Sequence, residues 1–315
     1  MDVVFYDLDF NKLHILPPSS KSVGFKSMDT KTEFNGEGSF ELEFWDLKLE
    51  RLIRAHPDGM LVRFGDFEGI TTDYQFSEKQ RKIFGSHLNG MLNYEVFSPV
   101  AESASKRSPA VLAKSVIDKS KMLTWVNPGV SFDDIDFKAE NYQSGYKTIQ
   151  SICKTAKCGY KIYADWAEKK LYFKLLKSNN NPLMLSEKNL NAYQIKEDFD
   201  SKDLAFGGWW KDENKTWHYI DGKKTGLKIR DTVLKATNET EAKNELEEKN
   251  ADYKLTAKTR NIEFGKDYLI GDIVRIKHGD VTDKLRVESV DIWQEGVEFG
   301  QEPTLKDYKE EEDAN

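Results

Sequence analysis

The five histidines are the first candidates for acid–base or metal chemistry, because imidazole is a general base near neutral pH and a common metal ligand. They are spread over the whole chain, as His14, His56, His87, His218 and His278. No two are close enough in sequence to form a motif. Carboxylates are too numerous to single out a hydrolytic pair, since the chain has 54 acidic residues. We expect the histidines to be surface or satisfied core residues.

Two cysteines, Cys153 and Cys158, occur in the segment SICKTAKCGY. They could form half of a metal site, or a redox pair. A structural zinc site needs four ligands, which usually come as two close pairs of Cys or His. Because the sequence has no second pair, we predict two buried or half-buried residues in a reduced protein.

An acidic cluster in the segment SFDDIDF contains Asp133, Asp134 and Asp136. These oxygens could bind Ca²⁺ or Mg²⁺, but a calcium loop also needs a central Gly and a distal Glu, which this segment lacks. Aspartate is a common turn residue as well. We therefore predict an exposed loop here, and neither a metal nor a cofactor for the chain.

Aromatic residues are concentrated in the segment GGWWKDENKTWHYIDGKK, as Trp209, Trp210, Trp217 and Tyr219. They could be a platform on which sugar rings stack. They could equally be the core of a two-stranded ribbon or anchors at a subunit interface, where Trp and Tyr are enriched. That enrichment favours an interface or a core over sugar binding.

The signatures of common enzymes are missing from the sequence: it has no Walker A loop, HExxH, GxSxG elbow or dinucleotide GxGxxG. We therefore predict that the chain is not an enzyme. A formal net charge of −7 and a pI near 5.5 argue against sequence-specific nucleic-acid binding, which relies on basic surfaces. The apolar runs are far shorter than the roughly 20 residues of a membrane span. The start MDVVFYDLDF resembles no signal peptide, which predicts cytoplasmic synthesis.

The elements around these residues are mostly strands at both ends of the chain. In SFELEFWDL, Phe40, Leu42 and Phe44 alternate with polar residues, a pattern typical of a half-buried strand. Near the other end, KLRVESVDIW places Leu285, Val287, Val290 and Ile292 on strands of the same kind. Several short strands at this spacing predict a small barrel or sandwich.

The middle of the chain reads as a mixed unit. Ser108-Pro109 predicts the start of one helix, and Ser144 caps a second helix, for which Gly159 can supply the left-handed C-terminal residue. The segment YKIYADWAEKKLYFKLL then predicts a hairpin that turns at 167–169. Further on, Asn238 followed by Glu241 forms a capping-box pattern at the start of another helix.

The chain is therefore predicted to be a β-rich α+β protein with two small β-barrel domains and an inserted α+β unit. The predicted parts are an N-terminal barrel (1–99) and the inserted unit (100–185). They are followed by a second barrel with connecting strands and one helix (186–308), and by an acidic tail (309–315).

Two segments resemble one family, the tail-associated hub proteins of long-tailed phages. The opening strand followed by GEGSFELEF resembles the "G-x-F-E-L" strand near the start of such proteins. The run YLIGDIVRIKHGDVTDKLRVESVDIWQEGVEFGQEPTL resembles the family's closing barrel, with its L-G-D-I-V step and its final "E-P-T" strand. The helix and hairpin of 146–176 match the family's inserted unit in order and length.

Membership implies a baseplate-hub fold, in which two related barrels per subunit assemble as a homotrimer. The resulting pseudo-sixfold ring would join the hexameric distal tail ring protein to the threefold tip, hold the end of the tape measure protein and let DNA pass. The resemblance also implies a place at the distal end of the virion tail, near the receptor-binding proteins. Many relatives continue into a receptor-binding or wall-cleaving extension, whereas this sequence ends at Asn315, so we expect those roles on other proteins.

Two other functions stay open from the residues alone. The aromatic segment would suit a carbohydrate-binding accessory module of a tail or of a cell-wall-degrading complex. An enzyme whose residues converge only in three dimensions would need a cleft with a strongly perturbed acid or base.

Overall fold

The computed structural model describes residues 1–19, 23–78, 80–94, 96–97, 104–137, 143–186, 188–197, 205, 207–221, 231–248, 253–259, 261–278 and 281–308. They form two compact units. The first unit contains the described residues of 1–193 and 256–308, and the second contains those of 194–255.

The N-terminal part of the first unit is an antiparallel sheet with one α-helix. Its elements are β1 (Val3–Tyr6), β2 (Lys12–Leu16), β3 (Phe25–Glu33), β4 (Ser39–Phe44), α1 (Leu47–Ala55), β5 (Leu61–Phe64), β6 (Phe67–Phe76), β7 (Arg81–His87) and a 3-10 helix (Leu88–Tyr94). The strands lie in the order β3-β4-β7-β6-β5-β1-β2. An isolated bridge from Pro18 to Phe25 brings the chain after β2 back to the start of β3.

The middle of the first unit packs two helices against a hairpin. Its elements are β8 (Val96–Phe97), β9 (Ala104–Arg107), α2 (Pro109–Ile117), β10 (Leu123–Trp125), β11 (Ile135–Phe137), β12 (Gln143–Ser144), α3 (Gly145–Thr155), β13 (Gly159–Asp165) and β14 (Lys170–Leu176). One apolar core joins α2, α3 and the hairpin, with Leu112, Ile149 and Phe173 at its centre. The predicted hairpin and both predicted helix starts are confirmed.

The C-terminal part of the first unit adds long strands. They are β15 (Asn180–Leu185), β21 (Ile273–His278), β22 (Val281–Glu295) and β23 (Glu298–Asp307). Two further strands, β16 (Leu190–Glu197) and β20 (Tyr253–Thr259), begin or end in the second unit. β22 pairs with β3 over seven residue pairs, from Ser289↔Glu33 to Glu295↔Ser27. This pairing joins the strands of both chain ends into one 13-stranded sheet.

The second unit is a small sheet with one helix. Its elements are β17 (Gly207–Lys211), β18 (Trp217–Asp221), β19 (Asp231–Val233) and α4 (Glu239–Glu248), with strand order β18-β17-β19. Trp210, Ile220, Leu234 and Ala242 are among its core residues. The predicted helix cap is confirmed, since Asn238 Oδ1 accepts a hydrogen bond from the Glu241 backbone N–H at 2.9 Å.

The predicted β-rich composition with few helices is confirmed. The finer division into two barrels and an inserted unit stays a prediction, because the described strands show one shared sheet and no closed barrel. The boundary at 99/100 and the acidic tail of 309–315 lie outside the described residues.

Two local predictions were wrong. The residues after Phe44 form helix α1 instead of extending the strand, because Asp46 accepts hydrogen bonds from the backbone N–H groups of Lys48 and Leu49. The left-handed residue that ends α3 is Lys157, with φ +49°, and not Gly159. Gly159 lies instead where a Cβ atom would come within 2.5 Å of the Phe34 ring.

Candidate functional site

His14, His87 and His218 each have a separate partner, as expected of satisfied histidines. His14 Nε2 lies 3.0 Å from Asp46 Oδ2, and His218 Nε2 lies 3.0 Å from Asp212 Oδ2. His87 is buried, and its Nδ1 accepts a hydrogen bond from the Asn89 backbone N–H. Burial, assisted by the charge of Lys161, lowers the pKa of His87 to about 3. His87 is therefore a neutral core residue at physiological pH.

The two cysteines are free and buried, as predicted. They occupy the end of α3, where the Cys158 backbone N–H donates to the Cys153 carbonyl at 2.9 Å. This bond and the left-handed Lys157 form a Schellman motif, in which the two flanking side chains normally make an apolar contact. Burial raises the pKa of the Cys153 thiol, and its hydrogen bond with Cys158 acts in the same direction. Both features are typical of structural cysteines.

The acidic loop around β11 makes one hydrogen bond to a neighbouring backbone group. Asp136 Oδ1 accepts a hydrogen bond from the Lys106 N–H at 2.9 Å, while Asp133 and Asp134 are exposed. Among the residues that the structure describes, no group of three His, Cys, Asp or Glu side chains could hold a metal ion. None of the described helices is long and apolar enough to cross a membrane.

One crevice in the described part of the first unit is lined by apolar side chains such as Leu183, Val274 and Leu305, together with Tyr268. It has no space for a water molecule. Small-molecule sites usually enclose at least about 300 Å³ and carry several convergent polar groups. The crevice therefore does not resemble a substrate pocket.

The predicted aromatic residues lie on the two faces of the β17–β18 ribbon. Trp209 pairs with Tyr219, and Trp210 pairs with His218. Trp210 points into the core of the second unit and is only 8% exposed. Trp209, Trp217 and Tyr219 are all exposed on the opposite face. Of the four predicted aromatic residues, Trp210 is therefore a core residue and the other three lie at the surface.

A second notable surface is a charged face of the large sheet, which no local sequence pattern predicted. We call it the acidic face. Because alternate residues of a strand point to opposite sides, it carries the outward residues of β3, β4, β22 and β23. Its eight carboxylates are Asp29, Glu33, Glu41, Glu43, Asp291, Glu295, Glu298 and Glu302. The other side of the same strands is apolar, with Met28, Leu42, Val290 and Ile292 buried.

Three lysines lie among these carboxylates, and each forms an ion pair. Lys26 contacts Glu43 at 3.1 Å, Lys31 contacts Glu33 at 2.8 Å, and Lys82 contacts Glu41. Eight carboxylates and three paired lysines leave this part of the sheet negative, while Arg286 and Lys306, a cross-strand pair on the same side, lie beyond its end.

Asp29 lies at the centre of the acidic face, paired with Glu41 on one neighbouring strand and with Trp293 on the other. Its burial raises its pKa above the usual range, and the charges of Glu41 and Glu295 raise it further, while Lys82 opposes them. The direct pairing of Asp29 with Glu41 across β3 and β4 places these two carboxylates close enough to repel one another. The pattern was not visible in the sequence, because it depends on the pairing of β3 with β22.

The fold is similar to that of several phage tail proteins of known structure. A prophage tail protein of Listeria monocytogenes shares 12% identity with a TM-score of 0.57, over 99% of this chain and 96% of its own. A tail protein of Neisseria meningitidis shares 13% identity with a TM-score of 0.60, over 97% and 96% of the two chains. The 43 kDa tail protein of prophage MuSo2 from Shewanella oneidensis shares 12% identity with a TM-score of 0.60, over 97% and 98%.

No protein-family model and no curated protein sequence matches the chain. The resemblance to phage tail proteins that the sequence predicted is nevertheless confirmed in the fold, over nearly the whole length of both partners.

Proposed function

We propose that the chain is a structural hub subunit of a phage tail. The observation that carries this proposal is the similarity in fold to three tail proteins over at least 97% of the chain. The chain would form a homotrimer at the distal end of the tail, joining the distal tail ring protein to the tip and holding the end of the tape measure protein. Its role there is mechanical, with no reaction catalysed.

The two-barrel arrangement belongs to this proposal. The bridge between Pro18 and Phe25 supports it, because it brings β2 back towards β3 and so curls the N-terminal strands towards closure. The seven-pair junction of β3 with β22 would then be the seam between the two barrels of one subunit.

The acidic face would line the channel through which DNA leaves the capsid. A surface that carries eight carboxylates and three paired lysines repels phosphate, since tight binding to DNA needs free Lys or Arg to replace counterions. DNA would then pass without being retained.

The channel can be tested with a charge-reversed variant. In Glu41→Lys/Asp291→Lys/Glu295→Lys, the acidic face gains positive charge, and we expect the assembled protein to retain linear double-stranded DNA in a gel-shift assay at low salt. Covalently closed circular DNA cannot thread a closed ring, so we expect no retention of the circle. The wild-type protein should retain neither form.

A matched control reverses three exposed carboxylates outside the acidic face, Asp133, Asp134 and Glu168. If this control and the test variant retain linear and circular DNA equally, the acidic face does not line a channel.

A further inference from the structure

The outer side of the three-stranded sheet in the second unit carries an unusual set of exposed aromatic rings. Trp209 is 45% exposed, Trp217 is 51% exposed and Tyr219 is 37% exposed. Val233 of β19 lies beside Trp209 on the same side. We call this the aromatic face and propose that it binds an oligosaccharide.

Two rings of the aromatic face, those of Tyr219 and Trp209, are held in place by their neighbours. The Tyr219 hydroxyl donates a hydrogen bond to Asp231 Oδ1 at 3.1 Å. Its ring lies across Gly207, where an added Cβ would come within 2.3 Å of the Tyr219 oxygen. Trp209 packs against Tyr219 with ring centroids 5.0 Å apart and planes inclined by 54°. Rigid positioning reduces the entropy lost when a ligand binds.

On the opposite, buried side of the same sheet, packed side chains hold the strands in place. Trp210 stacks on the His218 ring with centroids 4.5 Å apart. The His218 ring in turn contacts Asp212, and this hydrogen bond lowers the pKa of the Asp212 carboxyl. Ile220 and Leu234 complete the buried layer. The exposed rings therefore project from a packed support.

The chemistry of the aromatic face suits a sugar. Aromatic rings present a negative π-face, which attracts the weakly positive C–H groups on one side of a pyranose ring. Polar groups lie at the same surface, since Asp231 borders Tyr219, and Lys211 places its ammonium 4.9 Å from the centre of the Trp217 ring. A carboxylate and an ammonium are an acceptor and a donor for sugar hydroxyls.

The size of the face favours a short glycan over a protein partner. Two strands of five residues and one of three, lying side by side, span at most about 17 Å by 14 Å, or roughly 240 Å². A stable protein interface buries about 800 Å² on each partner. The described part of the aromatic face is therefore much smaller than a protein-binding surface, while a few stacked sugar rings would cover it.

The test is a calorimetric titration of the full chain with two probes, chitotetraose and cellotetraose, which differ in their N-acetyl groups. We expect at least one to bind with a dissociation constant below about 1 mM. Trp209→Ala and Trp217→Ala should each weaken that binding at least tenfold. A Trp125→Phe variant, changed in the first unit, should bind as the wild type does.

Two variants are used so that the test still gives a result if one of them does not fold. Trp217 is the more exposed ring, so Trp217→Ala decides the outcome if Trp209→Ala does not fold. Absence of binding by either probe up to about 10 mM would overturn the proposal, and so would binding that both variants leave unchanged. A change in oligomeric mass caused by either variant would identify a subunit interface instead. The sugar-binding proposal does not rest on the hub role. The calorimetric titration tests sugar binding, whereas the oligomeric mass tests assembly into a hub.

Discussion

Asn89 is the residue whose contacts connect three separate parts of the first unit. Its side-chain Nδ2 donates to the carbonyls of Gly36 and Tyr160, at 3.2 and 3.4 Å, and its Oδ1 accepts from the Ile162 N–H at 2.8 Å. It is 1% exposed. The side chain thus satisfies backbone groups at the edge of β13 and in the β3–β4 turn, which would otherwise be buried without partners.

We predict that Asn89→Ala lowers the free energy of unfolding by about 2–4 kcal/mol, because an unmade buried hydrogen bond costs about 1–3 kcal/mol. Urea denaturation measures this change. Asn93→Ala is the matched control, since Asn93 lies in the same 3-10 helix but is exposed, and its amide contacts Glu37 at the surface. Equal losses in the two variants would show that the Asn89 contacts are not important for stability.

The carboxylate repulsion on the acidic face predicts a pH-dependent gain of stability in Asp29→Asn. Burial and neighbouring carboxylates raise the folded-state pKa of Asp29 above its ordinary value of 3.8. Ionised Asp29 therefore destabilises the folded protein at neutral pH, and the penalty disappears as the pH falls below the ordinary value.

At pH 7 we expect Asp29→Asn to increase the free energy of unfolding by less than about 1 kcal/mol, because solvent screens the group. Below pH 3.8 the variant and the wild type should have the same stability. Asp134→Asn, in an exposed loop, should show no such gain. Denaturation curves from pH 3 to 8 that gave Asp29→Asn no gain at pH 7 would contradict the account of this face.

At the scale of elements, helix α1 is held by one carboxylate with two roles. Asp46 caps the helix through the N–H groups of Lys48 and Leu49, and it also contacts His14 of β2. Partial burial raises its pKa, but the hydrogen bonds from Lys48 and His14 lower it below 3.8 overall. The stabilisation is therefore present above the ordinary pKa and is lost as the pH falls through the lowered value.

We predict that Asp46→Ala costs about 1–2 kcal/mol at pH 7, the range of a lost N-cap. Asp46→Asn keeps a capping oxygen and should cost less. Thermal melts of the two variants separate the capping oxygen from the carboxylate charge. An equal loss in both would assign the effect to the charge of Asp46 and not to its capping oxygen.

At the end of α3 a substitution should increase stability, since Lys157 adopts a left-handed conformation that glycine adopts without strain. We predict that Lys157→Gly raises the free energy of unfolding by about 1 kcal/mol, because a residue with a Cβ atom pays about 1–2 kcal/mol for a left-handed conformation. Lys154→Gly, inside the same helix, should lower it by about 1 kcal/mol. A loss in both variants, measured by urea denaturation, would show that the lysine at 157 contributes more than its backbone strain costs.

These elements also show what could be predicted from the sequence. The alternation in β4 correctly predicted that Phe40, Leu42 and Phe44 are buried, because a two-residue period is a local property of a strand. Helix α1 was missed although its signal was present: Asp46 is a good cap, and Leu49 and Ile53 are spaced for one helix face. The strand pattern immediately before it was extended too far.

The role of Gly159 could not be predicted, because it depends on a distant partner. Only the folded chain brings the Phe34 ring to within 2.5 Å of the position of a Cβ atom there. Of the predicted aromatic residues, Trp210 and Trp209 fall on opposite faces because they are neighbours on one strand. Which of the two is buried depends on what packs against the strand, and no local pattern indicates that.

At the scale of the whole molecule, the defining contact is the pairing of β3 with β22. It joins residues separated by more than 250 positions, such as Thr30, whose Oγ1 donates to the Ile292 carbonyl at 3.1 Å. Such pairings leave no local signature, so the sequence predicted strands at both ends but not their union in one sheet. The acidic face exists only because of this union.

Assembly into a ring is the property on which the proposed hub role depends most directly. Light scattering on the purified chain, with negative-stain class averages from the same peak, measures both mass and symmetry. We predict a mass three times the 36.3 kDa of the chain and a threefold ring with a central hole. A monomer that persists at about 100 μM, far above the dissociation constant of a stable oligomer, or a closed dimer, would contradict the account.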